Sequence, residues 1–496
     1  MGKSILKKVK NIMKIPKCMS TQHPDNVNTP FFAENSELDG EDEVKEAYYA
    51  FSHLDCNEQM WDCEGKEVDN YLVKKLLTKY GSFFKEKRLG RDLFVTLRVP
   101  NPSVEKAEAK ILLETLESIP RSFDTAKLFY KDDTPPIFEV IIPMVTSSNS
   151  IDRVYRYYID FVTGKQNQTF KKGDITIAEW IGEFKPERVN VIPLFEEMEY
   201  MLDAHNITRE YLKNKKVEYQ RVFLARSDPA MNYGLVSAVL LNKIALQRLY
   251  RLSKDIGVKI YPIVGIGSAP FRGNLKPFTV ERIIEEYPST HTFTIQSSFK
   301  YDNPPEEVKN SIKKLQDKKT DLPQNMDEEK CLEIIRKYSQ EYKKQIVDLA
   351  PIINRIARFV PSRRKRKLHI GLFGYSRDID GISLPRAITF TASLYSIGLP
   401  PEILGLNALN EDDMQFVKEV YIHFEDDLRD ALKYFNPNTS FLPDGLRSKI
   451  NDFSDLETDV EHKELTNYIA TSVMENSIED LSEYILRAAS IRKFLG

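Results

Sequence analysis

Short apolar runs recur along this chain, reading "IPKCMST", "DLFVTLRV", "IFEVIIPMV", "RVNVIPLF", "RVFLARS", "VKIYPIVGI", "HTFTIQS" and "LHIGLFG". Most are apolar at consecutive positions, the pattern of parallel strands buried on both faces. Between several of them the period changes to that of an amphipathic helix. The clearest case is "NYGLVSAVLLNKIALQRLYRLSKDIG", which closes with a lysine and then Gly257, as a helix end should. Strand–helix alternation repeated about eight times predicts an α/β fold of the TIM (β/α)8 type rather than an open doubly wound sheet. No Rossmann fingerprint competes with this, because the glycines of "GIGSAPFRG" stand at the wrong spacing.

Beyond "YDNPPEEVKN" the chain turns lysine-rich and polar through "KKLQDKKTDLPQNMDEEK", which reads as a solvated surface loop with helical turns. After residue 400 no strand signal remains. There "EDDMQFVKEVYIHFEDDLRDALKYF" and "HKELTNYIATSVMENSIEDLSEYILRAASIRKFLG" predict long helices packed against the barrel. Residues 1–12 are basic and only weakly amphipathic, and they lack the apolar core of a secretory signal. They read as a frayed tail, leaving 13–496 as one domain: a barrel over about 13–400 and a helical part over 401–496.

Composition narrows the class without naming it. The 496 residues are 41% hydrophobic and 29% charged, as in an ordinary soluble protein with a full core. A net charge of −3 argues against a dedicated nucleic-acid binder. Cys18, Cys56, Cys63 and Cys331 form no CxxC pair, so neither a zinc site nor a disulfide framework is indicated. Reduced thiols in a cytoplasmic protein follow. No apolar run approaches the length of a membrane span.

In TIM barrels, chemistry gathers where strands meet the loops that follow them. Those ends are polar here. The first run leads to His23, held before Pro24 in an extended backbone, and an imidazole there suits proton transfer. Arg98 stands inside the apolar run "LFVTLRV". Glu196 ends "VIPLFEE", counted as the fourth strand, and Arg226 and Asp228 end the fifth. Arg272 lies in "GSAPFRGN", and Gln296 ends the next strand with Lys300 beyond it. Two carboxylates on successive strand ends can share a hard cation such as Mg²⁺. Arginines beside them suit a phosphate or carboxylate, and a glycine-bearing loop at 265–274 lets backbone N–H groups approach the same anion. These residues point to a metal-dependent enzyme acting on a small phosphorylated acid. The bland alternative is a set of rim salt bridges.

The motifs "MSTQHPDN", "MWDCEGKEVD", "TLRVPNP", "PLFEEMEYML", "GSAPFRGN" and "LPRAITFTASLYSIGLPPEILG" together resemble the phosphoenolpyruvate carboxylase family in its short, archaeal-type form. "TQHPDN" is also similar to the "TAHPTE" of the family's long form. The resemblance implies carboxylation of phosphoenolpyruvate by bicarbonate to oxaloacetate and phosphate, with Mg²⁺ or Mn²⁺, through carboxyphosphate and a metal-stabilised enolate. It implies metal ligation by Glu196 and Asp228, and catalytic roles for His23, Arg98, Arg272 and Arg386. Arg363 in "PSRR", with Gly267, Ser268, Gly273 and Gln296, is implied to bind substrate. A homotetramer supplying four-carbon acids is implied as well.

Some positions depart from the long form. Its first glycine-loop arginine falls at Ile266, for which Arg226 is the candidate replacement, and a lysine falls at Met231. The ending "AASIRKFLG" lacks the long form's "RNTG", implying weak inhibition by aspartate. Two rivals remain at this point. One is another Mg²⁺-dependent barrel lyase working through an enolate; the other is a non-catalytic binder using the basic run "PSRRKRK".

Overall fold

The computed structural model describes residues 14–65, 69–365, 377–379, 381–451, 456–477 and 479–496. Eight parallel strands close into a barrel: β1 (Cys18–Ser20), β2 (Glu58–Asp62), β3 (Phe94–Arg98), β4 (Glu139–Ile142), β5 (Asn190–Phe195), β6 (Tyr219–Ala225), β7 (Lys259–Gly265) and β8 (Thr292–Ile295). Closure is made by β1 on β8, with Cys18 opposite Phe293 and Ser20 opposite Ile295. The barrel expectation holds, with one strand exchanged. The run "LHIGLFG" lies outside the described residues, as does the tail at 1–12, and the barrel is complete without either.

The strand missing from the sequence reading is β2, "EQMWD". Side chains alternate across a strand, so Glu58, Met60 and Asp62 share one face. Met60 joins Met19, Ile141, Ile192, Leu194, Phe223, Ala225 and Ile263 in the small apolar cluster inside the barrel, whereas Trp61 packs into the larger core. Glu58 and Asp62 therefore point inward from either side of Met60, and this polar interior hides the strand. It also shifts the count, so Glu196 follows β5, Arg226 and Asp228 follow β6, Arg272 follows β7 and Gln296 follows β8.

The deepest barrel layer is ionic. Arg221 on β6 donates to Glu58 Oε1 at 2.6 Å, to Glu139 Oε2 at 2.8 Å and to Thr292 Oγ1 at 3.3 Å. These side chains come from β2, β4, β6 and β8, the alternate-strand layer typical of this fold. One guanidinium thus holds two buried carboxylates together. Arg221→Met should cost about 3–5 kcal/mol, because two buried acids lose their counter-charge. Denaturant unfolding measures this, and a loss below about 1 kcal/mol would mean the layer is dispensable.

The helices follow the pattern with breaks. The long amphipathic segment forms Leu235–Ile256 and ends on left-handed Gly257, as expected. The lysine-rich excursion begins inside the helix Pro305–Asp317, which buries Val308, Ile312 and Leu315, and continues over 318–327 as a mostly exposed loop. The 30-residue helix Glu328–Ala357 follows. Each of the two predicted C-terminal helices is broken in two, as Glu411–Val420 with Phe424–Leu432, and Val460–Met474 with Leu481–Arg492. Asn476 and Asp480 adopt left-handed backbone at the second break, which ends a helix. An antiparallel hairpin, β9 (Arg377–Ile379) with β10 (Ile382–Leu384), also forms outside the barrel.

Candidate active site

At the C-terminal end of the strands lies a cavity of about 600 Å³. Nine of the expected site residues line it: His23, Arg98, Glu196, Arg226, Asp228, Arg272, Gln296, Arg363 and Arg386. They come from loops far apart in sequence, gathered because every strand of a parallel barrel ends on the same face. Gly267, Ser268 and Gly273 are not among the lining residues.

Arg98 is held by β2. Its Nε and Nη2 donate to the two Asp62 oxygens at 3.0 and 2.7 Å, and Glu64 stands 3.3 Å away. Burial alone would weaken its charge, but Asp62, Glu64 and Glu196 outweigh that and hold it firmly protonated. The paired fork fixes the plane of the guanidinium. Asp62 and Glu64 were not singled out in the sequence, because β2 itself was not.

Arg272 is the most tightly placed cation. Its Nη2 donates to Gln296 Oε1 at 2.5 Å, its Nη1 to the Gly496 carbonyl at 2.6 Å and to Asp25 Oδ2 at 3.3 Å, and its Nε to Ser227 Oγ at 3.2 Å. Burial lowers its pKa, while Asp25 and Asp228 oppose the shift. Asp25 is fully buried and also accepts the Ser298 and Ser268 N–H groups at 2.7 and 3.4 Å. It ties the loop after β1 to those after β7 and β8.

The glycine loop works differently from the expected anion cradle. The amides of Gly267, Arg272, Gly273, Asn274 and Leu275 are bonded within the loop itself. Those of Ser268 and Phe271 go to Asp25 and Glu402. These N–H groups are thus already bonded within the protein. Its glycines serve close packing: a Cβ on Gly267 would lie 2.8 Å from Arg272 Cζ, and one on Gly273 would lie 2.5 Å from Ile266 Cγ2. What the loop presents to the cavity is Arg272.

Arg226 both lines the cavity and contacts the glycine loop. It is fully buried, with Nε on the Tyr287 hydroxyl at 3.3 Å and Nη1 on the Phe271 carbonyl at 3.2 Å. The second bond braces the glycine loop, while Nη2 has no hydrogen-bond partner among the described residues. Ile266 and Met231 are core residues with no exposure, so neither position reaches the cavity.

Arg363 is nearly buried and donates through Nε to the Asn26 carbonyl at 3.3 Å. Arg364 is wholly buried on Glu43 and Glu46, at 2.5 and 2.9 Å. The first two arginines of the basic run therefore belong to the interior, whereas Lys365 is exposed and Arg366 and Lys367 lie outside the described residues. Arg386 stands at the start of the helix Ala387–Ser396 on the cavity wall. His23 Nδ1 lies 2.9 Å from Thr21 Oγ1.

Glu196 directly follows β5 and Asp228 follows β6, and these strands pair with Phe195 opposite Leu224. Two hard carboxylate donors therefore face one cavity from neighbouring strands. Among the described residues no group of three or more His, Cys, Asp or Glu forms a closed metal cage. A pair fits a small hard cation that keeps most of its shell for water and substrate oxygens.

Fold and cavity together define a (β/α)8-barrel protein whose strand-end site combines arginines, two carboxylates and a histidine. The family model for phosphoenolpyruvate carboxylase matches residues 15–496, and the chain belongs to that family. Proteins named phosphoenolpyruvate carboxylase from Methanospirillum hungatei and Methanothermobacter thermautotrophicus are 59% and 60% identical over 484 residues, covering 98% of this chain and all of theirs. One of the same name from Halobacterium salinarum is 48% identical over 493 residues, again covering 98% of this chain and all of its own. No helix among the described residues is long and apolar enough to cross a membrane.

Proposed function

We propose that this chain joins bicarbonate to phosphoenolpyruvate, releasing oxaloacetate and phosphate, in the cavity between His23, Arg98, Arg272 and Arg386. The observation that carries this reading is the convergence of arginines and two carboxylates at the strand ends of a chain belonging to this family. The substrate bears close to three negative charges, about two of them on phosphate. Arg272, Arg363 and Arg386 answer that charge, and Arg98 is fixed by Asp62 in one orientation. Glu196 and Asp228 would hold Mg²⁺ or Mn²⁺, which supplies positive charge to the substrate's carboxylate and enol oxygens when bound.

A bicarbonate oxygen attacks phosphorus, and the bond from phosphorus to the enol oxygen breaks, giving carboxyphosphate and the enolate of pyruvate. His23 then takes the carboxyphosphate proton, so that CO₂ and phosphate separate beside the enolate carbon. The carbon–carbon bond forms when that carbon attacks CO₂. Leu194, Phe223, Leu384 and Ile388 line the same cavity. Their apolar surface keeps water from protonating the enolate to pyruvate. Following the family, we place the enzyme in the cytoplasm as a homotetramer supplying four-carbon acids; light scattering checks the assembly.

The test is to add phosphoenolpyruvate, Mg²⁺ and bicarbonate and couple oxaloacetate to malate dehydrogenase. Oxaloacetate should form only with bicarbonate present. Equal turnover without bicarbonate would favour a lyase cleaving a carbon–carbon bond. The loop geometry adds a second expectation. Gly267→Ala should push Arg272 aside and cost roughly ten- to a hundredfold in kcat/KM, the loss of one charge-assisted hydrogen bond. Unchanged kcat/KM would show that Arg272 makes no productive contact.

A further inference from the structure

We infer that Glu402 is a positioning residue for the substrate's anion contacts, tying the loop that carries Arg272 to the helix that begins after Arg386. This rests on the reading of the cavity given above and deepens it. Glu402 lies in "GLPPEILG" and has no exposed surface. One of its carboxylate oxygens, Oε1, accepts the Phe271 N–H at 2.6 Å and the Tyr395 hydroxyl at 2.7 Å. Phe271 stands directly before Arg272, and its carbonyl accepts Arg226 Nη1 at 3.2 Å. Charged side chains therefore hold the backbone of this residue through both its N–H and its carbonyl. Tyr395 stands in the last turn of the helix Ala387–Ser396, whose N-cap is Arg386. Arg272 and Arg386 line the cavity, and Glu402 is not among the lining residues. One buried oxygen thus links the supports of two cavity arginines.

The link is rigid and costly to keep. Pro400 and Pro401 restrict the chain just before Glu402, which sits in the short turn of helix Pro401–Ile403. Burial pushes its carboxyl up to about 7, against the Tyr395 hydroxyl, the Phe271 N–H and Lys276, which favour the charged form. Freed of that burial in the unfolded chain, the group ionises near 4.5, so the buried acid lowers stability as the pH rises from there to about 7. What the fold gains is one acceptor held between two donors. A phosphate-bearing acid must meet both arginines at once, and a misplacement of about 1 Å is expensive. Glu402 touches no substrate; it sets where the groups that do are held.

Glu402→Ala deletes the shared oxygen, and Glu402→Gln keeps an oxygen in its place without the charge. Tyr395→Phe cuts only the tie to the helix and leaves the ring among Ala269, Tyr434 and Phe494. Binding of phosphoenolpyruvate to each full-length variant is measured by equilibrium dialysis with Mg²⁺ and no bicarbonate, beside oxaloacetate turnover and urea unfolding. Kd should rise roughly tenfold in Glu402→Ala and about threefold in Tyr395→Phe. Glu402→Gln should bind within about twofold of the parent, because both donors keep an acceptor. Above about pH 7 it should also be at least as stable as the parent, since the costly charge is gone.

A residue that only supports the fold would lower the unfolding midpoint of Glu402→Ala while the folded protein binds as the parent does, and that result overturns the inference. Binding lost in Glu402→Gln as fully as in Glu402→Ala overturns it too, because the charge and not the shared oxygen would then matter. Should Glu402→Ala fail to fold, Tyr395→Phe decides, and parent-like binding there overturns the link to the helix. A parent protein that binds phosphoenolpyruvate but makes no oxaloacetate sinks the carboxylation reading and leaves the binding comparison to decide on Glu402. A parent that does not bind phosphoenolpyruvate overturns both.

Discussion

Asp228→Asn is expected to lower turnover by roughly a thousandfold, about 4 kcal/mol of lost transition-state stabilisation, while the barrel stays folded. Asparagine matches aspartate in size but is a much poorer ligand for a hard cation. Any remaining activity should need far more Mg²⁺ than the parent enzyme. Asp228 follows β6 and Glu196 follows the neighbouring β5, so both carboxylates depend on the same stretch of sheet for their spacing. Glu196→Gln should therefore show the same raised Mg²⁺ requirement. Asp228 also opposes the burial of Arg272, so its loss should weaken substrate binding as a smaller second effect. Turnover and Mg²⁺ response both unchanged in Asp228→Asn would remove the metal assignment.

His23→Asn should separate the two halves of the reaction. Bicarbonate can still attack phosphorus, because the arginines and the metal-binding carboxylates remain in place. Without a base, carboxyphosphate is not steered into delivering CO₂ to the enolate. Phosphate and pyruvate should then appear in a bicarbonate-dependent way, with oxaloacetate reduced by roughly a hundredfold or more. Asparagine keeps a polar group of similar reach before Pro24 but cannot serve as a base near neutral pH. If phosphate and oxaloacetate fall together in a folded variant, His23 has only a structural role.

The strand ends were legible because charges stand at the close of apolar runs, and His23, Glu196, Asp228 and Arg272 could be picked from that contrast alone. Strand β2 was not legible. Its inward residues Glu58 and Asp62 are polar because they neutralise Arg221 and Arg98 on other strands, and those partners are distant in sequence. Losing β2 meant losing Asp62 and Glu64 as the groups that hold Arg98. The glycine loop misled for a different reason. Glycine spacing shows where the backbone can come close, but not whether its N–H groups are already taken, and here the loop itself, Asp25 and Glu402 take them. Arg226 shows a related limit: a buried arginine after a strand can line the cavity and brace a loop at once, and its bonds to Tyr287 and Phe271 join positions distant in sequence.

Transfer of oxygen from bicarbonate tests the central claim most directly. With oxygen-18 bicarbonate, phosphoenolpyruvate and Mg²⁺, attack on phosphorus leaves one bicarbonate oxygen on each phosphate after CO₂ departs. The other two end in the new carboxylate of oxaloacetate. Phosphate carrying one labelled oxygen per molecule, at short times before bicarbonate exchanges with water, is the predicted result. Unlabelled phosphate formed alongside oxaloacetate would contradict the account.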